Sequence, residues 1–244
     1  MNIALIHIGK TGGTTINKLL ETKLGNYKEY HHFKNYENNE KYIIWLRNPI
    51  SRFVSAFNHS YYGVNTDKSK IKNFDYKNCL LPVRLKESLH RNWVFSERYD
   101  TLIKCFKDAN HLAESLSSID PELKKKAVEL MNCREEHLYK AIGWYLNNGK
   151  FIDERKDNIL FVGALENMKE DIIRLSKTLG IILNPELKVR ENIYVDKTMK
   201  YLSKEAIKNI IDWYKDTDYK TLEILLKNGW ITAELMDSYL KYEQ

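Results

Sequence analysis

Cysteine is nearly absent from the 244 residues: Cys79, Cys105 and Cys133 are odd in number, widely spaced and without a CxxC pair. That excludes a disulfide framework and a cysteine-based zinc site, and predicts three reduced, mostly buried thiols. Long apolar runs are missing too, since none approaches the roughly 20 residues that span a bilayer. Met1–Ile8 has neither a basic stretch nor a small-residue cleavage site. The expectation is a soluble, cytosolic protein with no membrane span. A strong charge imbalance is lacking as well: 39 Lys and Arg against 33 Asp and Glu leave +6, without one basic tail. This mildly favours polyphosphate or acidic ligands, and without a concentrated basic and aromatic strip it gives no support to nucleic acid as partner.

The 43% of hydrophobic and 12% of aromatic residues are enough for a substantial core and exclude a disordered chain. No repeat, low-complexity tract or linker divides the sequence, so residues 1–244 read as one domain. Short apolar runs at 2–8, 42–46 and 158–163 have the composition of buried parallel strands. The first is followed by a glycine-rich loop and a helix whose apolar residues are Ile16, Leu19 and Leu20, with Gly25 as the expected stop. The second runs into Asn48, a cap, and Pro49, a first helical residue, with the helix continuing to about Tyr62. The third feeds a helix over 166–179 that stops at Gly180. Three such units predict a three-layer α/β fold, a central parallel sheet flanked by helices. Residues 79–150 read as a largely helical insertion, with 121–146 its longest stretch. Ser203 is the cap of a further helix carrying Ile207, Ile210, Ile211 and Tyr214, and Trp230–Tyr242 is the last.

Two segments carry chemistry. Where Gly9-Lys-Thr-Gly-Gly13 enters a helix, backbone N–H groups and the helix dipole favour an anion, with phosphate the obvious guest. Lys10 adds a mobile charge, and Thr11, Thr14 and Thr15 add hydroxyls around Gly12 and Gly13. Lys10 precedes the glycines, so the GxxxxGK[ST] order of an NTPase loop is absent. In the second segment, Arg47 leaves a strand end while Ser51, Arg52 and Ser55 share one helix face, so a guanidinium and a hydroxyl can meet on one phosphate. Arg52 is assigned instead to pairing with a nearby carboxylate. His59, His90 and His137 read as structural.

Together, His7-Ile-Gly-Lys-Thr-Gly-Gly-Thr-Thr15 and Arg47-Asn-Pro-Ile-Ser-Arg-Phe-Val-Ser55 resemble the two phosphate-binding motifs of sulfotransferases that use 3′-phosphoadenosine 5′-phosphosulfate (PAPS). Phe161–Asp171 is similar to the late strand and helix of the carbohydrate-type members. Gly9 stands where proline is usual, which should loosen the start of the loop. The resemblance implies that Lys10, Thr11, Gly12, Gly13, Thr14 and Thr15 hold the 5′-phosphosulfate and that Arg47 and Ser55 hold the 3′-phosphate. Lys10 would stabilise the leaving oxygen. It further implies an acceptor hydroxyl, on a glycan or glycolipid, with the helical insertion on the acceptor side and Trp93, Tyr139, Trp144 and Tyr145 as possible stacking residues. No metal ligand set is visible or needed. A general base is expected in the connection between the motifs, at His31 or His32, with Glu29 and Glu37 as carboxylate alternatives. The rival readings are a P-loop kinase and a nucleotide- or nucleic-acid-binding module.

Overall fold

A computed structural model describes residues 2–31, 37, 39–65, 97–134, 136–187 and 200–242. In chain order the elements are β1 (Asn2–Ile6), α1 (Gly13–Glu21), β2 (Tyr27–Tyr30), β3 (Glu40–Leu46), α2 (Pro49–Asn65), α3 (Glu97–Ile103), α4 (Ala109–Ser115), α5 (Pro121–Met131), α6 (Ile142–Tyr145), α7 (Lys150–Arg155), β4 (Ile159–Ala164), α8 (Met168–Leu179) and α9 (Lys204–Tyr214). A π-helical turn (Lys215–Tyr219) leads into α10 (Lys220–Lys227), and α11 (Ala233–Tyr239) follows.

All strand pairs are parallel, in the order β2-β1-β3-β4. Alternation along the strands divides the core into two layers of side chains. Ile3, Leu5, Ile43, Trp45 and Phe161 meet Ile16, Leu19 and Leu20 of α1 and Ile172 and Leu175 of α8. On the other face, Ala4, Ile6, Tyr42, Ile44 and Leu46 join the larger core with Phe53 and Phe57 of α2, Leu112 of α4, Ile210 of α9 and Leu225 of α10. Helices therefore cover both faces of a parallel sheet, the α/β architecture expected. At Gly163 the sheet needs a glycine, because a Cβ there would lie 2.6 Å from the Trp45 ring.

Four details differ from the sequence reading. A fourth strand, β2, has the exposed and half-buried pattern of a sheet edge, so Tyr27–Tyr30 lacks the continuous apolar run that marked the other three. Gly25 is not the stop of α1, which ends at Thr22 with that residue's N–H on the Leu20 and Lys18 carbonyls. The stretch 121–146 is not one helix: α5 closes at Asn132, and the chain turns before α6. The last helix starts after Thr232, whose hydroxyl accepts the Leu235 N–H, and not at Trp230. Other signals act as read. Ser203 caps α9 by accepting the Ala206 N–H at 3.1 Å, and Gly180 adopts φ 66 to close α8. Cys105 and Cys133 are free thiols, whereas Cys79 and residues 66–96 of the chain lie outside the described residues. Among the described residues no helix is long and apolar enough to cross a membrane.

The strand order decides where a ligand can sit. From β1 the chain moves outward to β2, then returns past β1 to β3 and continues to β4. The direction reverses between β1 and β3, and at such a switch point the loops leaving the two strands part to form a crevice at their carboxyl ends. Lys10 follows β1, and Arg47 follows β3.

Candidate functional site

The loop after β1 is tightly held. Lys10 has φ 73 and Gly12 φ 88, both left-handed, and for a lysine that conformation is a strain of about 1–2 kcal/mol. Three contacts enforce it. The Thr11 hydroxyl donates to the Ile8 carbonyl at 2.9 Å, the Thr15 N–H to the Gly12 carbonyl at 3.0 Å, and Arg47 Nη1 to the Lys10 carbonyl at 3.1 Å. Thr11 is fully buried, so its hydroxyl proton braces the loop, while Thr14 is half-buried and Thr15 nearly buried at the start of α1. Gly9 does not loosen the loop: a Cβ there would meet His137 Nδ1 at 2.5 Å, so glycine is required by a packed ring.

Arg47 links the two motifs. Besides the Lys10 carbonyl, its Nε lies 3.3 Å from Ser51 Oγ, on the first turn of α2. Ser55, one turn further on, is 7% exposed. The start of α2 is fixed by Asn48, whose Oδ1 accepts the Ile50 N–H at 2.8 Å and whose Nδ2 donates to the Lys241 and Ser238 carbonyls. Glu166 completes this clamp by accepting the Asn48 N–H at 2.9 Å and the Tyr239 hydroxyl at 3.1 Å. The chain beyond β4 and the last helix thereby hold Arg47 over the crevice.

Beneath the loop, Arg52 does something other than form the expected ion pair. It is fully buried, and its guanidinium donates to the Gly9 carbonyl at 3.3 Å and to the His137 carbonyl at 3.1 and 2.9 Å. Its charge also acts on buried Asp218, whose Oδ1 accepts the Gly143 N–H at 2.8 Å. Burial raises the Asp218 carboxyl, and Arg52 counters part of that. Burial first, then the charges of Lys10, Arg52 and His7, hold the His137 imidazole well below its usual range. Lys10 and Arg52 put positive charge at the loop, which favours an anion above it.

The expected base region lies at the neighbouring strand edge. The β1–β2 register pairs Leu5 with Glu29 and Ile6 with Tyr30, and the ladder continues with the His7 N–H on the Tyr30 carbonyl at 2.9 Å. His7 and His31 therefore stand side by side, with Glu29 two residues before His31 on the same strand face. Glu29 bridges them: Oε1 contacts His7 Nδ1 and Oε2 lies 3.5 Å from His31 Nε2, while the rings are 4.8 Å apart between centroids. Burial alone would raise the Glu29 carboxyl, but the hydrogen bonds and charges of His31 and His7 outweigh it and bring it down to about 2. His7 also touches the loop after β1, since a Cβ on Gly13 would fall 2.4 Å from its Cδ2. Glu37 is not part of this group and pairs with Lys28 at 2.7 Å. His32 lies outside the described residues.

Sequence reading missed His7, Glu166 and Asp218, and it saw no metal ligand set although His7, Glu29 and His31 bring three donor atoms within 4.8 Å of one another. The signal was present as the alternation Glu29-Tyr30-His31, unreadable until β2 was recognised. Of the proposed stacking residues, Tyr145 is 3% exposed and belongs to the core. Trp144 is half-buried beneath Lys140, whose Nζ is 5.3 Å from the ring, and Tyr139 is half-buried. The His59 ring lies 5.6 Å from the His137 ring, tilted by 52° to it. Trp93 and His90 lie outside the described residues. No family model, curated protein or solved structure matches the chain.

Proposed function

We propose that the chain is a sulfotransferase that moves the sulfuryl group of PAPS to an acceptor hydroxyl, on a carbohydrate or glycolipid. The observation that carries this reading is the 3.1 Å hydrogen bond from Arg47 to the Lys10 carbonyl, which joins the two phosphate motifs at the switch point of the sheet. This supports the reading that both motifs serve one crevice, as a ligand with two separate phosphate groups requires.

In this reaction the acceptor oxygen attacks sulfur in line, and the new S–O bond forms as the bond from sulfur to the 5′-phosphate oxygen breaks. The electron pair leaves with the 5′-phosphate, and the acceptor proton passes to a base. Lys10 and the amides that open α1 oppose the developing charge. His31 is the base in this scheme, and the imidazolium it becomes is stabilised by the Glu29 carboxylate beside it. His32 is the alternative base. No step requires a metal ion.

The test is transfer of labelled sulfate from PAPS to glycan, phenolic and peptide acceptors by the wild-type chain and by His31→Ala, His32→Ala and Glu29→Gln. One histidine variant should bind the product 3′-phosphoadenosine 5′-phosphate (PAP) normally and transfer about 10²–10⁴-fold more slowly. If both histidine variants transfer normally and Glu29→Gln does not, the base is the carboxylate. Transfer to no acceptor class, together with no binding of PAP, overturns the proposal.

A further inference from the structure

We propose that His7 Nδ1, the Glu29 carboxylate and His31 Nε2 form a binding site for a divalent transition metal of the zinc class. The donors stand at the ends of two adjacent parallel strands in fixed register: Glu29 is in β2, His31 is the residue just past its end, and His7 is the residue just past the end of β1. This arrangement converges three side chains from a rigid scaffold without any loop having to fold around the ion. All three ligand atoms already lie within 4.8 Å of one another.

The donor chemistry selects the ion. Two imidazoles and one carboxylate suit Zn²⁺ or Co²⁺, whereas Ca²⁺ and Mg²⁺ require a shell of oxygens. Zinc bonds of about 2.0–2.2 Å in tetrahedral geometry put neighbouring donors roughly 3.3 Å apart. The separation of His31 Nε2 from Glu29 Oε2 is 3.5 Å, close to that value. The direct contact of His7 with Glu29 has to open and donors as much as 4.8 Å apart have to draw in, which the His31 side chain, 56% exposed, allows without disturbing the core. Three protein ligands leave a fourth position for water.

One consequence rests on the sulfotransferase reading: zinc on His31 Nε2 would replace the contact with Glu29 that stabilises the imidazolium, so zinc inhibits transfer. The site itself does not depend on that reading. The test therefore uses metal alone. The full chain, stripped by chelator and without nucleotide, is titrated with Co²⁺ while its visible d–d absorption is followed, and Zn²⁺ is then added in competition. One Co²⁺ per chain, displaced by stoichiometric Zn²⁺, is expected. Affinity should fall at least about tenfold in each of His31→Ala, His7→Ala and Glu29→Gln and stay unchanged in His111→Ala on α4. Thermal melting of each variant in chelator shows that it is folded, and exposed His31 provides the variant least able to disturb folding. Absence of a cobalt band in the wild type overturns the proposal. So does an undiminished band in any one of the three ligand variants. PAP binding measured in chelator stands apart from all of these outcomes, so failure of the metal site and failure of the proposed reaction are told apart.

Discussion

Replacing Arg52 by methionine, which keeps much of the side-chain volume and removes the charge, should destabilise the protein by about 3–5 kcal/mol, the order expected when two carbonyls lose charged hydrogen-bond donors. The magnitude follows from what Arg52 holds. It is fully buried and donates to the Gly9 and His137 carbonyls, and hydrogen bonds to a charged group contribute about 1.5–3 kcal/mol each. Without it those carbonyls lose their guanidinium donors, and Asp218 loses the positive charge that lowers its carboxyl. Against a typical stability of about 5–15 kcal/mol this is a large fraction. Urea unfolding followed by tryptophan fluorescence reads it as a lower midpoint at unchanged slope. Asp218→Asn in the Arg52→Met background should recover part of the loss, because an amide needs no counter-charge. The pH dependence has a fixed sign. Burial raises the folded Asp218 carboxyl above its unfolded value. Its contribution is therefore complete below the unfolded value and is lost as pH rises through the folded one. Arg52→Met should enlarge that loss, and Asp218→Asn should abolish it. A change of less than about 1 kcal/mol for Arg52→Met, below the contribution of one hydrogen bond to a charged group, or a double variant no more stable than the single one, would refute this reasoning.

Glu40 gives the opposite pH sign. It is 1% exposed, and although burial raises its carboxyl, hydrogen bonds from Lys28, Tyr30 and Tyr42 bring it below its ordinary value. Its stabilisation is present above the unfolded value and disappears as pH falls through the folded one, so acid melting curves should be flatter for Glu40→Gln than for the wild type. Gly163→Ala should cost about 1–3 kcal/mol and alter the near-ultraviolet circular dichroism, because the new methyl group meets the Trp45 ring. Lys10→Ala should slow sulfuryl transfer by about 10²–10³-fold with the melting temperature nearly unchanged. Lys10→Gly should be equally slow yet somewhat more stable, since glycine accepts φ 73 without strain.

The sequence made the architecture legible where burial is complete. Strands β1, β3 and β4 show as apolar runs because their residues are almost all buried, β4 at the sheet edge included. Asn48, Ser203 and Gly180 announced helix ends because capping is local. Strand β2 was hidden because an edge strand with Lys28 and Glu29 on opposite faces resembles a polar connection. With it went the register that sets His7 beside His31, a relation between residues 24 positions apart that no local pattern encodes. Arg52 was misread for a related reason: its partners are main-chain carbonyls of the loop and of His137, and a carbonyl leaves no mark on the sequence. The glycine-rich turn after β1 was legible through Gly12 and Gly13, but not the inward turn of Thr11, which tertiary packing decides.

The central claim is that Lys10 and Arg47 serve one ligand with phosphates at both ends. Calorimetry in EDTA tests it most directly, with PAP and adenosine 5′-phosphosulfate titrated into the wild type and Arg47→Ala. The account predicts metal-independent binding of PAP, with Arg47→Ala weakening PAP more than adenosine 5′-phosphosulfate, because only PAP carries the 3′-phosphate. Equal losses for both ligands would contradict it, as would a wild-type chain that binds ATP with Mg²⁺ and not PAP.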